Sequence, residues 1–93
     1  MPKFLIEVPH GETKEACERA VAVFLATGSH FVANAEWGCS DNVHKAWIIA
    51  ELDNKQEAVS ILPPAFRKDT TVVQLENYSP TDAKEIIEKH DKN

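Results

Sequence analysis

Cys39 and His44 are the residues in this chain best suited by type and spacing to carry chemistry. They flank Ser40-Asp41-Asn42-Val43, a polar stretch of hairpin-loop length. Opposed residues in a hairpin hold their β-carbons roughly 5 Å apart. A thiolate and an imidazole so placed could share a transition-metal ion at about 2.0–2.3 Å from each ligand atom. Two donors do not complete a site. Asp41 in the loop, His10 after the first strand, or the same pair from a second subunit would supply the rest. The plainer reading is a small apolar cysteine and a solvent-facing histidine beside a turn, because the paired Cys or His spacings of the common metal motifs are absent.

A second group is polar and acidic: Glu7, Asn34, Glu36, Glu51 and Gln74, with Trp47 beside them. Glu7 or Glu36, partly desolvated and close to another acid, could act as a general base. Asn34, Trp47, Glu51 and Gln74 would then line the ligand. Against this stands a set of solvated or salt-bridged groups at a sheet rim, with Trp47 as interface packing. His30 reads as a surface residue that begins a strand after a helix stop, and Cys17 as helix core. The three glycines, Gly11, Gly28 and Gly38, lie far apart. Neither a phosphate loop, a dinucleotide fingerprint nor a nucleophile elbow can be built from them.

The whole chain bounds what these residues can do. Ninety-three residues make one domain, residues 1–93, near the low end for a self-sufficient core, so an oligomer is expected. The net charge of −5, with ten Lys and Arg scattered among fifteen acids, argues against a nucleic-acid partner. The apolar run Phe4-Leu5-Ile6 is too short for a signal peptide or a membrane span. The expectation is a cytoplasmic protein with no membrane partner, whose Cys17 and Cys39 remain two free thiols. Only the last residues, His90 to Asn93, are expected to escape order.

The elements that position the candidates follow from hydrophobic period and turn chemistry. Lys3 to Val8 alternates as a strand, with Phe4, Ile6 and Val8 on one side. Thr13 caps a helix running to about Thr27, where Gly28 stops it. His30–Cys39 and His44–Leu52 read as a hairpin. Asn54 with Glu57 forms a capping-box pattern for a second helix, which Pro63-Pro64 ends. Thr70–Asn77 is the last strand. Ser79-Pro80 starts a C-terminal helix over 79–90, whose Ala83, Ile86, Ile87 and His90 share one side. The order is βαββαβ plus a helix: an α+β, ferredoxin-like arrangement with a four-stranded antiparallel sheet.

Closing the hairpin around Ser40–Val43 sets Trp37 opposite Ala46 and Glu36 opposite Trp47. One sheet face then carries Phe4, Ile6, Val8, Phe31, Ala33, Ala35, Ile48, Ala50, Leu52, Val73 and Leu75, and takes the helices. The other carries Leu5, Glu7, Val32, Asn34, Glu36, Trp47, Ile49, Glu51, Val72 and Gln74. It is too apolar to lie bare in water and too polar for plain core. A homodimer whose sheets enclose a half-polar cavity would explain both, with the C-terminal helix as an arm across the neighbour.

This element order, length and mixed face resemble the dimeric α/β-barrel superfamily of small ferredoxin-like domains, which includes antibiotic-biosynthesis-type monooxygenases and muconolactone isomerases. The segment Trp37-Gly38-Cys39-Ser40-Asp41-Asn42-Val43-His44-Lys45-Ala46-Trp47 resembles small uncharacterised members, some of them thought to bind metal. The resemblance implies a dimeric barrel and no particular reaction. The expected function is binding of a small ligand or a transition-metal ion. The alternative is a cofactor-independent enzyme, isomerase or monooxygenase-like, acting on a small organic molecule in the dimer cavity.

Overall fold

Alternating burial along Lys3–Pro9 (β1) sets the frame of the molecule. In the computed structural model, which describes residues 1–91, Phe4, Ile6 and Val8 are buried while their neighbours are half-exposed. The chain continues through α1 (Lys14–Ala26), a single-turn α2 (His30–Ala33), β2 (Glu36–Trp37) and a 3-10 turn at Cys39–Asp41. Then follow β3 (Lys45–Glu51), α3 (Lys55–Ser60), a 3-10 turn at Pro64–Phe66, β4 (Thr71–Leu75) and α4 (Pro80–Asp91). The four strands form an antiparallel sheet in the order β2-β3-β1-β4.

The helix starts are local chemistry. Thr13 Oγ1 accepts from Ala16 N–H at 3.0 Å, and Asn54 Oδ1 accepts from Glu57 N–H at 2.8 Å. Arg67 closes α3 by donating to the carbonyls of Leu62 and Ser60. At α4, Ser79 and Asp82 cap each other reciprocally. The Ser79 backbone N–H, with its hydroxyl, holds the Asp82 carboxyl below its ordinary value.

α1 and α3 cover the Phe4–Ile6–Val8 face, where Phe24, Val32, Ala46, Ile48, Leu52, Ala58 and Leu62 complete one apolar core. Phe24 is its aromatic hub, 4.9 Å from the Trp37 ring and 5.2 Å from the Phe66 ring. The hairpin register agrees with expectation, Glu36 facing Trp47 and Trp37 facing Ala46.

Two expectations are corrected. His30–Cys39 is not a continuous strand; its first part winds into α2, and only Glu36 and Trp37 pair. A strand would send Phe31 and Val32 to opposite faces, whereas one helical turn lets both pack on the same core. Ala33 and Asn34 are exposed, and Asn34 Nδ2 donates to the His30 carbonyl at 2.7 Å, closing the turn. β4 also sits in the opposite parity to the one expected. Phe4 faces Gln74 and Ile6 faces Val72, so Val73 and Leu75 lie on the open face. A one-residue shift inverts every side chain of a strand, and the run Thr70-Thr71-Val72-Val73 has no alternation to reveal it.

α4 stands apart. None of its residues is buried, and Ile86 and Ile87 are 43% and 60% exposed. The radius of gyration is 17.0 Å and the long axis 55 Å, against about 12 Å for a compact chain of this length. Of the terminal residues expected to escape order, His90 and Asp91 complete α4, while Lys92 and Asn93 lie outside the described residues.

Candidate metal centre

The end of β1 meets the start of β3 and the first turns of α1 at one corner of the helix-covered face. His10 N–H donates to the His44 carbonyl at 3.0 Å, extending the β1–β3 ladder one step beyond Pro9 and Lys45. By strand alternation His10 shares the side of Phe4, Ile6 and Val8. His44 lies across the ladder from it, with ring centroids 6.0 Å apart. Gly11 then turns the chain tightly onto α1. A Cβ there would lie 2.9 Å from the Cβ of Ala16, so the close approach that brings α1 to His10 requires glycine.

Cys17 is the residue α1 delivers. It sits one turn beyond the Thr13 cap, its N–H donating to the Thr13 carbonyl at 3.1 Å. Cys39 arrives from the opposite direction. After Trp37 the chain leaves the sheet as a tight coil in which the Gly38 carbonyl accepts from both Asp41 and Val43 N–H. Asn42 closes the coil in the left-handed region at φ 61°. Cys17 and Cys39 are joined by a disulfide with Cα atoms 6.7 Å apart. The expectation of two free thiols, and of Cys17 as plain helix core, is corrected: the coil after β2 places Cys39 against α1.

Gly38 has no room for a side chain. A Cβ would lie 2.8 Å from the Trp47 ring and 2.8 Å from the Val43 carbonyl oxygen. Replacing Gly38 with Ala is expected to cost about 1–3 kcal/mol by overpacking, read as a lower midpoint in urea unfolding. An unchanged midpoint would mean that the coil is freer than this geometry allows.

One ligand atom from each of His10, Cys17 and Cys39 lies within 4.8 Å of the others, and all three residues are half-buried. His10 Nε2 stands 3.3 Å from Cys39 Sγ. Its Nδ1 is 3.0 Å from the Gly11 carbonyl, which can only accept, so Nδ1 carries the proton. In the neutral ring Nε2 therefore points a lone pair at the sulfurs. A ring nitrogen fixed on a backbone carbonyl is the usual support of a metal-ligating histidine. His44 adds an independent sign. Its Nδ1 is buried without a hydrogen-bond partner, a state that costs about 1–3 kcal/mol when nothing compensates it.

Of the four residues expected to hold metal, Cys39 and His10 come together and His44 stands beside them. Asp41 is exposed in the 3-10 turn and does not join the cluster. Cys17 is the member of the cluster that the sequence did not reveal. Its one visible signal was position, a single helical turn past a cap only three residues from His10.

The acidic group divides. Glu7 and Glu36 flank Trp47 across the open face, since Trp47 pairs with Glu7 on one side and Glu36 on the other. Glu7 Oε1 accepts from Trp47 Nε1 at 3.1 Å and lies 3.6 Å from Lys45 Nζ. Glu51 faces Lys3 at the far end of the same face. Asn34 is outside the strands, and Gln74 is on the helix side of the sheet, away from Glu7.

No family model, curated protein or solved structure matches this chain. Among the described residues, no helix is long and apolar enough to cross a membrane. The chemistry must therefore be read from the corner itself. In the dithiol state it offers two sulfurs and the His10 imidazole, with the His44 ring 6.0 Å from that of His10, donor types that suit a borderline-soft ion such as Zn2+.

Proposed function

We propose that this protein is a small transition-metal-binding module that holds a Zn2+-type ion on Cys17, Cys39, His10 and His44 in its dithiol form. The approach of His10 Nε2 to the paired sulfurs of Cys17 and Cys39, 3.3 Å from Cys39 Sγ with all three ligand atoms within 4.8 Å, carries the reading. The carbonyl-fixed tautomer of His10 and the orphaned Nδ1 of His44 support it. Binding is preferred to catalysis because Glu7, the best-placed acid, is engaged by Trp47 and Lys45.

Co2+ titration of reduced, untagged protein tests this. The expected result is a saturable tetrahedral spectrum with sulfur-to-metal charge transfer, displaced by Zn2+. Cys17→Ser or Cys39→Ser abolishes the charge-transfer bands. His10→Ala and His44→Ala each weaken binding by more than about tenfold, since even supporting residues of metal sites carry that much. An octahedral spectrum indifferent to Cys39→Ser would remove the proposal.

The same reading places a second copy on the open face. Ile49 and Val73 are 64% and 46% exposed there, beside Leu5 and Leu75. The βαββαβ order with β1 and β3 central supports a ferredoxin-like unit of the kind that stacks sheet to sheet in dimeric barrels. α4, with its unburied Ile86 and Ile87, is the arm that would reach the neighbour. Sedimentation should find a dimer that Ile49→Lys dissociates; a wild-type monomer at micromolar concentration contradicts this part.

A further inference from the structure

We infer that the Cys17–Cys39 disulfide is the released state of the metal centre, so that a small-molecule disulfide switches the site off and a dithiol restores it. This rests on the metal-binding reading above and adds its regulation.

The two sulfurs that close the disulfide are the same two that the ligand cluster requires. A sulfur bonded to sulfur has no thiolate charge to offer a metal ion, so the two states exclude each other. The corner is also open to a reagent. A cleft of about 440 Å³ reaches Cys17 and Cys39 between Thr13 and Lys14 on α1 and Ser40 and Asn42 on the coil. Structural disulfides sealed in a core lack such access; this one faces the cleft with both cysteines half-buried.

Polar and charged groups surround the sulfurs. His10 Nε2 stands 3.3 Å from Cys39 Sγ. Lys14, on the cleft wall, adds positive charge, while Glu12 and Glu18 on the same wall oppose it.

The off-step is thiol–disulfide exchange at the loaded site. The Cys39 thiolate attacks one sulfur of R–S–S–R, forming a mixed disulfide and expelling one RS−. The Cys17 thiolate attacks Cys39 Sγ, closing the protein disulfide and expelling the second RS−. The two cysteine sulfurs lose two electrons, and the two reagent sulfurs gain them. The metal ion leaves as M2+ without changing oxidation state, held then by at most two imidazoles. A dithiol reductant reverses the exchange, and each thiol releases its proton as it ligates the returning ion.

The experiment uses full-length protein, reduced, loaded with Zn2+ and freed of excess metal and reductant. Zinc content is measured first. Hydroxyethyl disulfide is then added while a chromogenic chelator reports free zinc and alkylation with mass spectrometry counts thiols. The inference predicts release of one zinc for each pair of thiols lost, an intramolecular Cys17–Cys39 crosslink, and renewed zinc binding after dithiothreitol and removal of the reagent. Zinc retained after the thiols are consumed, or thiols consumed only as mixed or intermolecular disulfides, overturns the switch while leaving metal binding intact. A reduced protein that takes up no zinc at the first step overturns the metal reading instead, and the switch with it.

Discussion

Reduction of metal-free protein lowers its melting temperature by roughly 12–24 °C. The Cys17–Cys39 bond spans 22 positions, and closing a loop of that length removes unfolded-state entropy worth about 3 kcal/mol. For a domain of this size each kcal/mol moves the midpoint by about 4–8 °C. The effect is large because the chain is short and the core is confined to one sheet face. Calorimetry with and without dithiothreitol, in the presence of a chelator, reads it directly. The Cys17→Ala/Cys39→Ala double variant should melt at the reduced midpoint and ignore reductant. A shift smaller than about 4 °C would mean that the reduced chain keeps these residues together without the bond. Adding Zn2+ to the reduced wild type should recover much of the loss, because a ligand that binds only the folded state stabilises it by mass action.

Phe24→Ala costs about 3–5 kcal/mol. Phe24 is 1% exposed and joins α1 to the rest of the core, its ring tilted against Trp37 from β2 and edge-on to Phe66 from the turn after α3. Its removal leaves a cavity bordered by three separate elements, none of which can move in to fill it without leaving its own contacts. Total stability for a domain of this length is only about 5–14 kcal/mol, so this one change removes a large part of it. The consequence reaches the metal corner. Trp37 also lies 5.8 Å from the His10 ring, so loosening Trp37 frees the imidazole it backs. Urea unfolding of the variant should show the loss; a change below about 1 kcal/mol would place the core's centre elsewhere.

How much of this could be seen in the amino-acid order differs from element to element. β1 was legible because Phe4, Ile6 and Val8 alternate with polar or half-buried neighbours, and one buried face leaves that pattern no other solution. The hairpin register was legible from the length of the polar loop, and it placed Glu36 against Trp47. Capping chemistry at Thr13, Asn54 and Ser79 is local and reads directly. α2 was hidden because Phe31 and Val32 suit a strand by propensity, and only the presence of a core on one side makes a turn of helix the better way to bury them. The parity of β4 was hidden because two adjacent valines look alike from either face. Cys17 was hidden for another reason. Its partner lies 22 positions away, and their meeting depends on Gly11 letting α1 approach and on Gly38 letting the coil leave the sheet. Those are close contacts between elements, which no local pattern records. Three of the four donors proposed for the metal were therefore legible, His10, Cys39 and His44. The acid expected to complete the site, Asp41, points instead into solvent.

The most direct test of the account is the coordination shell of the bound ion. X-ray absorption at the zinc edge of reduced, zinc-loaded protein should show two sulfurs at about 2.3 Å and two nitrogens at about 2.0–2.1 Å. A shell of oxygen and nitrogen without sulfur would contradict it.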